Sequence, residues 1–363
     1  MTLDFDKCIC SQAGHCPLFN KKMELDPPNW QWCQSASAED REKHYCDSQK
    51  SQTRSKMLSQ IIGEKNNSLE FSFADTGHII KTEDLVNDTV NILMPQILSK
   101  YNISSIIGVP RSGMINAAAA SATYSIPLWS MTTQGVVQLA SFSNNGGSRM
   151  THYEDKEGKA LIIDDTVYGG TAASRLRKLY PDAIISAAYV SPENKHMVDF
   201  YVKEIPAPHF LEWNLFNCGY LTESGVDIDG IFSPNIPSHI CDNENLYQEY
   251  LSNVTPYFNR LSTLFTIRAL VTARAEKYRT ITEDWLGKHG IKYQKLIMLP
   301  NNLEKDKKKN HLETVAPYKA QAIKDIKARF FIESELIEAK HIKQELGNDY
   351  ECLIVCPNDH IYF

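Results

Sequence analysis

This chain of 363 residues has no apolar run near the ~20 residues a helix needs to cross a bilayer, so no transmembrane span is expected. It has no excess of positive charge. The formal balance of −6 argues against general affinity for nucleic acid, which requires a surface that neutralises phosphates. The start, Met1-Thr-Leu-Asp-Phe-Asp-Lys7, lacks the basic-then-apolar order of a secretion signal, and a cytoplasmic location is the expectation. Cleanly paired CxxC spacings are missing, and no internal repeat is apparent. What is present is an ordinary 42% of hydrophobic residues in a chain long enough for two domains with separate cores.

Of nine cysteines, five (Cys8, Cys10, Cys16, Cys33, Cys46) fall in the first 46 residues, with His15 and His44 among them. Without a secretion signal, such clustering reads as metal binding before disulfides. Cys8, Cys16, Cys33 and Cys46 form a candidate ligand set for Zn²⁺ or an iron–sulfur cluster; free cysteines in a loosely ordered leader are the other reading. Residues 1–50 are therefore taken as a Cys-rich N-terminal segment.

Farther on, the pattern alternates between helix and strand. Thr82 reads as the N-cap of a helix through residue 98, because Leu85, Val90, Leu93 and Ile97 recur at helical spacing. A buried strand at 103–109, an Ala-rich helix at 113–121, a flexible loop at 131–158, a strand at 161–163, a helix at 173–179 and a strand at 183–190 follow. Pro206-Ala-Pro208 marks a domain edge, and the aromatic stretch 210–216 reads as packing between domains. From Val226 the alternation resumes, with strands at 267–271, 295–299, 329–332 and 352–355 and helices at 276–289, 317–328 and 335–346. The basic tract Lys305-Asp-Lys307-Lys308-Lys309 reads as a solvated loop. This alternation predicts an α/β protein with two Rossmann-like parallel-sheet domains in series, at 51–210 and 223–363, joined by a linker at 211–222.

Two motifs carry chemistry. In the first, the run Leu161-Ile-Ile-Asp164-Asp165-Thr166-Val-Tyr168-Gly169-Gly170-Thr171 places two acids after a strand and a Gly-rich turn before a helix. Adjacent carboxylates there can accept hydrogen bonds from the two hydroxyls of a ribose, and backbone amides of the turn can hold its 5-phosphate. Upstream, Ile107-Gly108-Val109-Pro110-Arg111-Ser112-Gly113 offers a cation for a leaving diphosphate. Together these elements resemble type I phosphoribosyltransferases. The resemblance implies phosphoribosyl pyrophosphate (PRPP) as donor, Mg²⁺, and a hood formed by the 131–158 loop with Arg149 as a phosphate ligand; a mobile surface loop is the other reading of that stretch. The donor-binding residues it implies are Arg111, Ser112, Gly113, Asp164, Asp165, Thr166, Tyr168, Gly169, Gly170 and Thr171. The turn departs from the family around Tyr168, where a hydroxyl residue is usual before the first glycine.

In the second motif, Asp227-Ile-Asp229-Gly230 is followed in order by Val271-Thr272-Ala-Arg274, Lys319 and Phe331-Ile332-Glu333. The series resembles the four motifs of the haloacid-dehalogenase superfamily, with Glu333 where Asp is usual. The resemblance implies a nucleophile at Asp227, an acid/base at Asp229, phosphoryl-oxygen ligands at Thr272 and Lys319, and Mg²⁺ held by Asp227, Asp229 and Glu333. For Glu335 and Glu338, helix-surface charge is one reading and help in holding the metal the other. The intervals 230–271 and 273–318 are too short for a large cap domain, which suits a bulky substrate.

The union resembles dual-domain bacterial ribofuranosyltransferases. It implies transfer of 5-phosphoribosyl from PRPP to a glycan acceptor, free or lipid-linked at a membrane assembly complex, and then removal of the 5-phosphate for surface polysaccharide synthesis. Nucleobase phosphoribosylation coupled to nucleotide dephosphorylation is the alternative, and a non-catalytic PRPP sensor a third.

Overall fold

The computed structural model describes residues 77–132, 135–140, 157–262 and 264–363. The Cys-rich segment with its candidate ligands Cys8, Cys16, Cys33 and Cys46, and Arg149 with most of the expected hood, lie outside them.

Strand β1 (Gly77–His78) precedes a helical run, α1 (Thr82–Asp88), a π-helical stretch Thr89–Leu93 and α2 (Met94–Leu98). Thr82 is its first helical residue and not its N-cap. Its N–H and Oγ1 donate outward to Glu212 Oε2 at 2.8 and 3.1 Å, which leaves Lys81 at the cap. Next come β2 (Ile103–Gly108), α3 (Gly113–Tyr124), β3 (Leu128–Thr132) and β4 (Gly135–Ala140). β5 (Lys159–Val167), α4 (Thr171–Leu179), β6 (Ile184–Val190) and β7 (Phe200–Glu204) complete the first sheet, ordered β4-β3-β2-β5-β6-β7. All pairs in it are parallel except β3–β4, so residues 135–140 of the expected loop form an antiparallel edge. Side chains alternate faces along a strand. Leu161 and Ile163 of β5 accordingly meet Leu93, Ile97 and Ala117, while Ile162 meets Leu176 and Ile185 on the other face.

The second sheet is built from β8 (Ser224–Val226), β9 (Ala269–Ala275), β10 (Leu296–Leu299), β11 (Phe330–Ile332), β12 (Leu353–Cys356) and β13 (Ile361–Tyr362). Its order is β1-β13-β12-β11-β8-β9-β10, parallel except at β13 and β1. The helices are α5 (Ser238–Cys241), α6 (Glu244–Asn253), α7 (Arg279–Lys288), α8 (Glu304–Lys309), α9 (His311–Asp325) and α10 (Leu336–Leu346). Three expectations change here. The basic tract is helix α8, not a loop. Helix α9 begins before the expected start and holds Pro317 inside it. The sheet does not end at β12, because β13 and β1 extend it.

The expected boundaries also move. Ile79, Phe210, Leu215, Phe216 and Leu221 are buried in one cluster with Val226, Leu270, Trp285 and Phe330 of the second sheet. Residues from both ends of the first sheet's segment thus belong to the second core, and Leu215, Phe216 and Leu221 of the expected linker are buried in it. The aromatic stretch does pack as read: Phe210 meets the rings of Tyr220, Phe330 and Tyr362. Among the described residues no helix is long and apolar enough to cross a membrane.

Candidate active sites

At the first site, β5 runs on through both acids, and their two carboxyls lie close enough to act on one another. Asp164 is half-buried; burial first, then the neighbouring Asp165, push its carboxyl well above the ordinary range. Asp165 is buried, and its Oδ2 accepts the Trp213 indole N–H at 2.9 Å. The upstream loop closes against this pair. Val109 N–H donates to Ile163 O at 3.0 Å, and Asn116 Nδ2 donates to Asp164 O at 2.9 Å. A Cβ at Gly113 would stand 2.8 Å from Asp164 Oδ1 and 3.0 Å from Asp164 Cα and Ile163 O, so a side chain there would press on the acid. Arg111 is exposed beside it and Ser112 is half-buried at the start of α3.

The turn after the acids is fixed by its carbonyl. Tyr168 O accepts from Ser191 Oγ at 3.0 Å and Asn194 Nδ2 at 2.7 Å. Thr166 Oγ1 pairs with His209 Nδ1 at 2.9 Å. Gly169 and Gly170 then bring the chain to Thr171, the first residue of α4; Gly170 has φ +69°, where a side chain would be strained. No side chain caps the α4 N-terminus, so its amide groups can meet an anion. Sequence reasoning missed Asn116, His209 and Trp213; each acts through folding that joins distant segments.

The second site sits at the tips of β8, β9 and β11. Asp227, directly after β8, accepts Ile228 N–H on Oδ1 at 2.7 Å and Lys319 Nζ on Oδ2 at 2.8 Å. Lys319 is buried and also pairs with Glu333 Oε2 at 2.7 Å and Glu338 Oε1 at 2.5 Å. Three buried carboxylates thus surround one ammonium, an excess of negative charge that a divalent cation would neutralise. Asp227, Glu333 and Glu338 offer ligand atoms all within 4.8 Å of one another, so they fit such an ion.

The charges respond accordingly. Burial raises the Glu333 carboxyl to about 8, only partly opposed by Lys319. Burial also raises Asp227, again against Lys319. For Glu338 burial is outweighed by Lys319 and by His311, whose Nε2 lies 2.7 Å from Glu338 Oε2, and the carboxyl falls to about 2. Glu338 is therefore part of the cluster, not surface charge. Glu335 is exposed and accepts from Asn235 Nδ2 at 2.6 Å.

Asp229 departs from its expected metal role. Arg274 donates to both its oxygens, from Nε at 3.0 Å and Nη2 at 2.7 Å. Burial would raise this carboxyl, but the guanidinium outweighs it and the net displacement is downward. Thr272 is fully buried, with Oγ1 accepting the Arg274 N–H at 3.2 Å. A cleft of about 540 Å³ opens over Asp227, Asp229, Lys319 and Glu333, with Tyr247 and Tyr278 among its walls. Lys307 and Lys308 of α8 also line it, and Lys307 Nζ donates to Ala273 O at 2.8 Å. The basic tract is thus part of the cleft rather than a solvated stretch. Among the described residues, the segment between the first two motifs brings Asn235, Ile236 and residues of the short helices α5 and α6 to the cleft.

No family model matches the chain. Over 135 residues it is 27% identical to xanthine-guanine phosphoribosyltransferase of Gluconobacter oxydans (strain 621H), covering 34% of this chain and 76% of that protein. Purine phosphoribosyltransferase from Pyrococcus horikoshii Ot3 is 18% identical, with 37% of this chain and 92% of that one covered and a TM-score of 0.27. For the Helicobacter pylori xanthine-guanine-hypoxanthine phosphoribosyltransferase the values are 15%, 38%, 92% and 0.28. A type I phosphoribosyltransferase-like region thus occupies about a third of the chain.

Proposed function

We propose that the chain is a two-step enzyme that transfers 5-phosphoribosyl from PRPP to an acceptor and then removes the 5-phosphate. The observation that carries this is the presence, in one compact unit, of a phosphoribosyltransferase-like region and a second acidic cleft built on a buried lysine. At the first site Asp164 and Asp165 meet the ribose hydroxyls, the Tyr168–Thr171 turn holds the 5-phosphate, and Arg111 meets the leaving diphosphate. Loss of diphosphate passes through an oxocarbenium-like state at the anomeric carbon, which the acceptor then attacks.

The second site is read as a haloacid-dehalogenase-like phosphatase. Support comes from its strand order, with Asp227 at the tip of β8 inside the sheet, and from the meeting of Asp227, Asp229, Lys319 and Glu333 in one cleft. Asp227 attacks phosphorus, Lys319 holds it in line, and the bond to the ribosyl oxygen breaks as that oxygen takes a proton from water in the open cleft. Asp229, kept ionised by Arg274, then takes the proton of the water that cleaves the aspartyl-phosphate. Mg²⁺ held by Asp227, Glu333 and Glu338 would offset charge on the transferring group. A shared chain raises the concentration of the first product at the second site.

A nucleobase is the acceptor that the xanthine-guanine relative favours, and a nucleoside is then the product. The short helical insert over the second cleft favours the second reading, a glycan acceptor that gains plain ribofuranose. Incubation with PRPP, Mg²⁺ and guanine, xanthine, hypoxanthine or a glycan should release diphosphate and give acceptor plus ribose by mass. Asp227→Asn should stop at acceptor plus phosphoribose. Absence of diphosphate release with every acceptor, together with no PRPP binding, would refute the scheme.

A further inference from the structure

We infer that Trp213 is a positioning residue for the ribose site, and that it ties this site to the second module. The inference rests on the proposed binding of a phosphorylated ribose between Asp164 and Asp165. Asp165 is 3% exposed, and a buried polar group needs a hydrogen-bond partner that holds it in one rotamer. The indole N–H of Trp213, a donor with no accepting capacity, supplies it at 2.9 Å to Oδ2. With Oδ2 engaged, Oδ1 is the oxygen that meets a ribose hydroxyl.

The ring is held by the first module and its backbone by both. Leu85, Ala188 and Tyr189 form the cluster against which the indole packs. One residue earlier, Glu212 bonds Thr82 at the start of α1 through Oε2, and His360 approaches its Oε1 at 3.3 Å. Leu211 bridges to Ile80, and Phe210 is buried in the second core. Four consecutive residues therefore run from the second core to the back of the ribose-facing acid. A shift of Phe210 against Phe330 or Tyr362 moves the donor on Asp165.

The test compares ribose 5-phosphate with 2-deoxyribose 5-phosphate by calorimetry on the full chain. The wild type should prefer the ribose compound by about ten-fold, the scale of one hydrogen bond to a charged group. Trp213→Phe keeps a ring and removes the N–H, and should bring that ratio to about two or below. General loosening would weaken both sugars alike and keep the ratio. Retention of the wild-type ratio in Trp213→Phe overturns the inference alone. Failure of the wild type to bind either sugar phosphate or PRPP overturns the underlying reading and the inference with it. A second measurement needs no folded variant: quenching of tryptophan emission by acrylamide in the wild type, with ribose 5-phosphate against inorganic phosphate. A change with the sugar phosphate alone supports the inference, and identical responses to both count against it.

Discussion

Lys319→Met removes the ammonium from the centre of three buried carboxylates while keeping a side chain of similar length. The lysine is 1% exposed and lies within 2.8 Å of Asp227, 2.7 Å of Glu333 and 2.5 Å of Glu338. Breaking a buried ion pair from one side costs about 3–5 kcal/mol, because the partner charges stay desolvated. At roughly 2–4 °C per kcal/mol, the variant should unfold about 6–20 °C below the wild type. The assay is thermal unfolding followed by circular dichroism at pH 7 in EDTA. The deficit should shrink toward pH 5, where the unopposed carboxyls take up protons, and Mg²⁺ should recover more stability in the variant than in the wild type. A deficit below about 2 °C in EDTA would show that the cluster is solvated, and the reasoning from burial would fail.

Three further outcomes are expected. Glu333, raised from 4.5 to about 8, contributes stability that is complete below pH 4.5 and fades as pH rises through 8; metal needs the ionised form, so Mg²⁺ affinity by calorimetry should strengthen from pH 6 to pH 9. Glu338→Gln removes one of three grouped carboxylates, and should weaken Mg²⁺ binding roughly 10–100-fold with a matching fall in p-nitrophenyl phosphate hydrolysis. Gly113→Ala forces Asp164 off its rotamer at a cost of about 0.5–1.5 kcal/mol, which should weaken PRPP binding roughly 2–10-fold.

Much of the first sheet was legible because β2, β5 and β6 are short apolar runs, and the turns after β2 and β5 carry their motifs. The four pieces of the second motif were legible by order alone. Of the two readings of Glu338 the surface one was favoured, although a signal existed: it opens a stripe with Ile342 and Leu346, four residues apart, on the buried face of α10. An acid at the head of an apolar stripe at a strand tip points inward. The Arg274 clamp on Asp229 had no such signal, since residues 45 apart meet only through the pairing of β8 with β9. Nor did Lys307, in a run of like charges with no periodicity. Trp213 was seen as aromatic packing, and its N–H was overlooked because the partner acid belongs to a distant strand. The pairing of β1 with β13 was invisible: two residues carry no pattern.

That pairing has a practical consequence. Gly77 and His78 bond to Tyr362 and Ile361, so a strand made before the first sheet waits for the last described strand to emerge from the ribosome. Until then β12 has no β13 or β1 beside it, an open border inviting intermolecular strand exchange. Gene fragments cut near residue 210 would leave the outer edge of β13 permanently bare. A fragment spanning 211–363 should precipitate unless the 77–80 peptide is supplied in trans.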